Sequence, residues 1–313
     1  MAKSEVVALL KQLMQIPSCS NEEQAIGIFL EQHLKSLGYT VELIPISPNS
    51  SRCNVYAYLS SSRETRVCLT AHMDTVPPHI PLRETPDRIY GRGSCDDKGP
   101  MASQIIAVEE LRKEGLIEPK DVSLLFVVGE EKGGAGMLAA NDVNLSWEAV
   151  VFAEPTDNLL AVGHKGHFVF DLVSEGIPSH SGYPDRGRSA ISTMIAVLAE
   201  LEQARFPSSD SLGPSTFHCG EIAGGEGYNI LAPKCTAVCS VRVAKDLPRI
   251  EQLIEKVISR HENVYLKKRF MYPELYLDHD IPGMGTIAVS FGTDAPRLKG
   301  SIRNIYMDRV PSW

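Results

Sequence analysis

The sequence predicts an α/β protein: a largely parallel central sheet covered by helices, with an α+β block inserted into it. Three observations carry this expectation. Short, wholly apolar runs alternate with amphipathic helical stretches through the first half of the chain. Each of these runs ends in a polar motif. The alternation breaks after Gly163 and resumes near the C-terminus. Strands buried on both faces read as continuous apolar runs, the mark of a parallel sheet flanked by helices.

In chain order, Val6, Leu9, Leu10, Leu13 and Met14 recur at helical period among Lys3, Glu5 and Lys11, so the N-terminus predicts a helix rather than a signal peptide. Ala25 to Leu37 predicts a second amphipathic helix, stopped at Gly38. Val67 to Thr70 is a buried strand leading into Ala71-His72, and Met101 to Glu114 is helical. Val122 to Val128 and Ala149 to Ala153 are apolar strands, followed by Gly129-Glu130-Glu131 and Glu154-Pro155. Beyond Gly163 come a loosely alternating Phe168 to Val173 and a Gly/Pro/Ser turn region. A long helix near Ser189 to Ala204, strands around Thr236 to Val243 and a helical Leu253 to Ile258 follow. Val289 to Asp294 is expected to return to the first sheet. The predicted division is therefore 1–162 with 270–313, and an inserted 163–269.

Composition narrows the function. With 43% hydrophobic and 22% charged residues, the 313-residue chain can bury a sizeable core. A net charge of -8 leaves no broad basic face for phosphates, so nucleic acid is not an expected partner. Nor is a membrane, because no apolar run is long enough to span one. The expected compartment is the cytoplasm, with mitochondrial import left open. The seven cysteines are scattered with no C-x-x-C pair, so free, mostly buried thiols are expected, with Cys95 a small filler in a tight loop.

The chemistry sits at the strand ends, where an open α/β sheet builds its site. His72-x-Asp74 lets an imidazole bind a metal through one nitrogen while the carboxylate orients the other. Within Gly91-Arg92-Gly93-Ser94-Cys95-Asp96-Asp97-Lys98-Gly99, a central aspartate suits a bridge between two cations, and Asp97 alternatively caps the following helix. Glu130 and Glu131 place two carboxylates together, which is costly without a cation to neutralise them. Glu154 precedes a stiffening Pro155. Taken singly, each is an ordinary loop: a surface His beside an Asp, a helix start, a solvated acidic turn. Their order, each after a strand, points to a site with nitrogen and oxygen ligands and no cysteine. Such a donor set suits zinc, with cobalt or manganese as substitutes.

These motifs make a family recognisable. A-H-M-D-T-V-P (71–77), Y-G-R-G-S-C-D-D-K-G-P (90–100), V-G-E-E-K-G-G-A-G (128–136) and E-P-T (154–156) fall in its order. So do K-G (165–166), S-H-S-G-Y-P-D-R-G-R-S-A-I (179–191), G-Y-N-I (227–230) and S-F-G-T-D-A-P (290–296). Over residues 4–300 the chain resembles the dinuclear-zinc amidohydrolases that include acetylornithine deacetylase, succinyl-diaminopimelate desuccinylase, aminoacylase and carboxypeptidase. The resemblance implies a zinc-peptidase-like catalytic domain with an inserted lid and dimerisation domain, a homodimer, and two Zn2+ per site, replaceable by Co2+. It assigns His72, Asp96, Glu131 and Glu154 to metal, with Asp96 bridging and Asp74 behind His72. Glu130 becomes the general base and His180 an oxyanion donor from the lid. Asn229 and Arg242 become substrate contacts, and Gly292 and Thr293 line the pocket. Glutamate at 154 leans towards acetylornithine deacetylase, acting on N-acyl amino acids in arginine biosynthesis. A dipeptidase or carboxypeptidase with the same machinery is the alternative.

The resemblance breaks at the C-terminus. The family carries a further metal-binding histidine in a loop of the type Y-G-P-G-S-I-L, and no histidine follows His279 here. Reading from the third base of each codon, starting with that of Asn304, permits Tyr-Leu-Tyr-Gly-Ser-Gly-Ser-Ile-Leu. The tail from Ser301 to Trp313 therefore reads either as a shifted frame or as a divergent end. An impaired relative serving as a binding or dimerising module is the reading from another class.

Overall fold

The computed structural model describes residues 2–299 and 304–308. The chain divides into two compact units. The first comprises residues 1–161, 277–287 and 293–313, the second 162–276 and 288–292.

In the first unit, helix α1 (Ala2–Met14) precedes α2 (Gln24–Ser36), and strands β1 (Thr40–Pro45) and β2 (Cys53–Tyr58) form a hairpin. Strand β3 (Val67–His72), helix α3 (Lys98–Lys113), strand β4 (Val122–Val127), the short helix α4 (Ala135–Ala140) and strand β5 (Ala149–Ala153) follow. The sheet order is β1-β2-β4-β3-β5, closed by the strand Asn304–Asp308 on β5. From β4 across β3 to β5 and Asn304–Asp308 every pairing is parallel, while β1 and β2 add antiparallel strands at the other edge. Leu124 and Phe126 of β4 are fully buried, as an inner strand requires, and they share a core with Leu30, Leu34, Met101 and Ile105 of the helices. The parallel arrangement brings the ends of β3, β4 and β5 to one edge, so the motifs that follow them meet.

Two expectations change. Val289 to Asp294 does not return to the central sheet: the nearby strand is Thr286–Val289, and it lies outside that sheet. Only Val289 of that strand is buried, too little for an inner strand. The segment that does join is Asn304–Asp308, within the tail read as frame-shifted; the rest of Ser301–Trp313 lies outside the described residues.

In the second unit, strands β6 (Gly166–Glu175), β7 (Thr216–Gly224), β8 (Lys234–Val243) and β9 (Val264–Tyr272) form an antiparallel sheet of order β7-β8-β6-β9. Helices α5 (Ala190–Gln203) and α6 (Leu247–Ile258) cover one face, where Phe168, Phe170, Leu172, Ala237, Cys239 and Val241 are buried. Ser189 Oγ caps α5 by accepting from Ser192 N at 3.3 Å, and Asp246 Oδ1 caps α6 by accepting from Arg249 N at 3.1 Å. Each such cap contributes about 1 kcal/mol. This unit runs past the expected boundary at 269 because β9 continues to Tyr272. Among the described residues no helix is long and apolar enough to cross a membrane.

Candidate metal centre

His72 is the last residue of β3 and is buried. Its Nε2 lies 2.7 Å from Asp96 Oδ1. Its Nδ1 faces the main-chain oxygen of Asp74 at 2.8 Å, closer than the Asp74 carboxylate at 3.6 Å. The expected carboxylate orienter is thus displaced by its own carbonyl. The Asp74 carboxylate is occupied otherwise: Oδ1 accepts from Glu130 N at 2.9 Å, and Oδ2 from Glu131 N at 3.3 Å and Ser20 Oγ at 2.8 Å.

Asp96 sits in the tight loop before α3, with its side chain about half exposed (49%). Lys98 closes that loop from beneath. Its buried ammonium donates to the carbonyls of Leu13 and Ile16 at the end of α1, and burial lowers it to about 8. Asp97 does not cap α3; its Oδ2 accepts from His72 N at 3.0 Å, fixing the end of β3. Cys95 is exposed rather than space-filling, and only Cys68, Cys235 and Cys239 are buried.

After β4, Gly129 takes φ 73° and turns the chain into a single 3-10 turn, Glu130–Lys132. One ligand atom from each of His72, Asp96 and Glu131 falls within 4.8 Å of the others. Glu130 and Glu154 stand outside that trio but line a small cavity together with His72. Sequence reasoning missed a further member of that cavity, Asp294. It is buried, and its Oδ1 accepts from Arg297 Nε at 3.1 Å. Asp294 lay within the S-F-G-T-D-A-P motif, but no apolar run precedes it to mark it as a strand end.

The electrostatics are those of a crowded acidic site. Burial, then repulsion from Asp294, Glu131 and Asp74, raises Glu130 to about 8. Burial raises Asp294 to about 6, and pushes Glu154 and Asp97 well up and Glu131 up. Burial alone would lower His72, but Asp74 and Asp96 outweigh it and raise the imidazole. Asp97 Oδ1 and Asp294 Oδ2 are buried with no hydrogen-bond partner among the described residues. Buried carboxyl oxygens without partners, close to one imidazole, fit a divalent cation, and nitrogen and oxygen donors without thiolate fit zinc or its substitutes.

Four of the remaining predicted residues belong to the second unit. His180 is exposed in the second unit, where its Nδ1 accepts from Gly182 N at 3.1 Å. Asn229 is exposed in the same unit and its carbonyl accepts from Ser181 N. Arg242 lies on β8, opposite His167 and Thr216. Gly292 belongs to the second unit, where a Cβ would lie 2.0 Å from the Tyr272 hydroxyl. Thr293 is buried in the first unit, and its hydroxyl accepts from Ala295 N at 3.2 Å.

Comparison with known proteins decides the family. A peptidase M20 domain-containing protein of Schizosaccharomyces pombe is 44% identical over 308 residues, covering 98% of this chain and 77% of that protein. The chain belongs to the M20 peptidase family. The pattern described as a peptidase dimerisation domain matches residues 162–268, and that of peptidase family M28 matches residues 54–151. A "probable carboxypeptidase" of Aspergillus flavus is 36% identical, covering 95% of this chain and 79% of its own length. A tripeptidase of Staphylococcus aureus has the same fold, with TM-score 0.80 at 20% identity, over 98% of this M20 chain and 90% of its own. Membership makes the chain a metallohydrolase of amide bonds, with a mixed α/β fold and a dimerisation domain.

Proposed function

We propose that this chain is a metal-dependent peptidase of short peptides, working by hydrolysis of a linear amide, with zinc as the first metal. The observation that carries the reading is the trio His72, Asp96 and Glu131 beside the half-buried Glu130 and the buried Glu154. His72, Asp96, Glu131 and Glu154 would hold the cation. When bound, it supplies Lewis acidity, lowering the pKa of water and polarising the acyl oxygen. Glu130 accepts the proton of the attacking water on its carboxylate and returns it to the departing amine nitrogen. Asp74 holds the main chain of Glu130 and Glu131 while this happens, and Asp97 holds that of His72. The name of the Aspergillus relative supports carboxypeptidase action and that of the staphylococcal neighbour supports short peptides. Acetylornithine deacetylase-like action on N-acyl amino acids is the second reading, favoured by glutamate at 154. The match of the second unit to a dimerisation domain supports a homodimer.

The test is a panel of dipeptides, tripeptides and N-acyl amino acids, N-acetylornithine included, offered to the purified chain with Zn2+ or Co2+. We expect release of amino acids from the peptides, abolished by a chelator and restored by metal. Faster deacetylation of N-acetylornithine would select the second reading. Absence of turnover on the whole panel by metal-loaded protein would overturn both.

A further inference from the structure

Between α1 and α2 the chain lies along the segment that follows β3. Thr75 N donates to Ser18 O at 2.9 Å and Ser20 N to Thr75 O at 3.1 Å, a short parallel bridge centred on Cys19. Two buried hydroxyls leave this bridge in different directions. Ser18 Oγ donates to the main-chain oxygen of Met73 at 2.8 Å. Ser20 Oγ donates to Asp74 Oδ2 at 2.8 Å.

The second contact bears on the metal centre. Asp74 is fully buried, and its carboxylate gathers two separate stretches of chain: Ser20 and the main chain of Glu130 and Glu131. Oδ1 is held by a 2.9 Å bond from Glu130 N. Oδ2 has only the longer 3.3 Å bond from Glu131 N and the hydroxyl of Ser20. A carboxylate turns readily about its terminal torsion, which is broad and two-fold. Removing Ser20 Oγ leaves Oδ2 with the longer contact alone, and the carboxylate then pivots about its bond to Glu130 N. Glu131 is the residue such a turn would release, and Glu131 shares the trio with His72 and Asp96.

We infer that Ser20 is a positioning residue of the metal centre: its hydroxyl locks the Asp74 carboxylate in the orientation that accepts both Glu130 N and Glu131 N, and so fixes Glu131. The inference rests on the metal-centre reading above.

The test uses the full chain stripped of metal, titrated with Co2+ against a competing chelator, beside the melting temperature of each metal-free protein. Ser20→Ala should weaken Co2+ binding about tenfold or more, the usual cost of losing a group that orients a ligand. Ser20→Cys keeps a donor, weaker and somewhat larger than the hydroxyl, and should fall between Ser20→Ala and wild type. Ser18→Ala removes an equally buried hydroxyl from the same bridge without touching Asp74. It should lower the melting temperature comparably and leave Co2+ affinity unchanged. Wild-type affinity in Ser20→Ala overturns the inference, as does an equal loss in Ser18→Ala. A wild-type chain that binds no Co2+ overturns the metal-centre reading itself, and the inference with it.

Discussion

At the scale of residues, the centre sets one imidazole among more carboxyls than it can neutralise, and the carboxyls fall into different tasks by position. Glu131 reaches the trio with His72 and Asp96, whereas Glu130, its neighbour in the chain, faces the cavity shared with Glu154 and Asp294. A base that moves protons without binding metal should affect rate more than occupancy. Glu130→Gln is therefore expected to keep its metal and lose turnover by roughly 10²- to 10⁴-fold. Metal analysis beside kcat on the best peptide checks this; metal loss in parallel with activity would make Glu130 a ligand instead. His72, Asp96, Glu130, Glu131 and Glu154 were legible because each follows an apolar run or sits in a glycine-flanked loop. Ser20 and Asp294 were not, since a hydroxyl or carboxyl in an irregular segment carries no period, and its value depends on what the fold brings opposite it. The same limit hid the exchange at Asp74, whose carbonyl and carboxylate swap the parts that spacing alone suggested.

At the scale of elements, the inner strands were legible and the edges were not. Leu124 to Phe126 and their like are buried on both faces, and no loop tolerates such a run. Thr40–Pro45 has a single buried residue, Ile44, and Cys53–Tyr58 mixes Asn and Tyr with its apolar residues, so neither hairpin strand stood out. The turn after β4 shows how an element places a site. Gly133 and Gly134 both take positive φ, at 96° and 67°. A Cβ on Gly133 meets nothing within 4 Å, but one on Gly134 would come within 2.2 Å of Asp294 Oδ1 and 2.3 Å of Arg297 Cδ. Gly133→Ala should thus cost only the backbone strain, about 1 kcal/mol. Gly134→Ala adds a collision with the Asp294–Arg297 pair and should cost roughly 2–4 kcal/mol in all. Urea unfolding of the two variants decides it; equal losses would mean that the pair yields freely.

At the scale of the whole molecule, the acidic centre couples stability to pH and to metal. Glu130, raised to about 8, and Asp294, raised to about 6, hold protons in the native state that the unfolded chain releases near the ordinary carboxylate values. Between unfolded and folded values the native state therefore binds more protons, and stability falls as pH rises. Asp97 and Glu154, also raised, act in the same direction. So does His72: its folded value is raised, so its contribution is present at low pH and lost as pH climbs through that value. Asp74 and Asp96 are lowered, so their contribution is lost only on acidification below the ordinary carboxylate range, outside this window. The metal-free protein should thus lose stability steadily between about pH 5 and pH 8. A cation reverses the balance, because it favours the ionised carboxyls and stabilises the native state by RT ln(1 + [L]/Kd), about 2.7 kcal/mol at a hundredfold excess over Kd. Because protons compete for the same oxygens, Kd itself falls as pH rises. The gap in melting temperature between Co2+-loaded and chelator-treated protein should be small near pH 5 and widen towards pH 8. A gap independent of pH would mean that these carboxyls do not meet the cation, and the centre assembled from β3, β4 and β5 would have to be sought elsewhere.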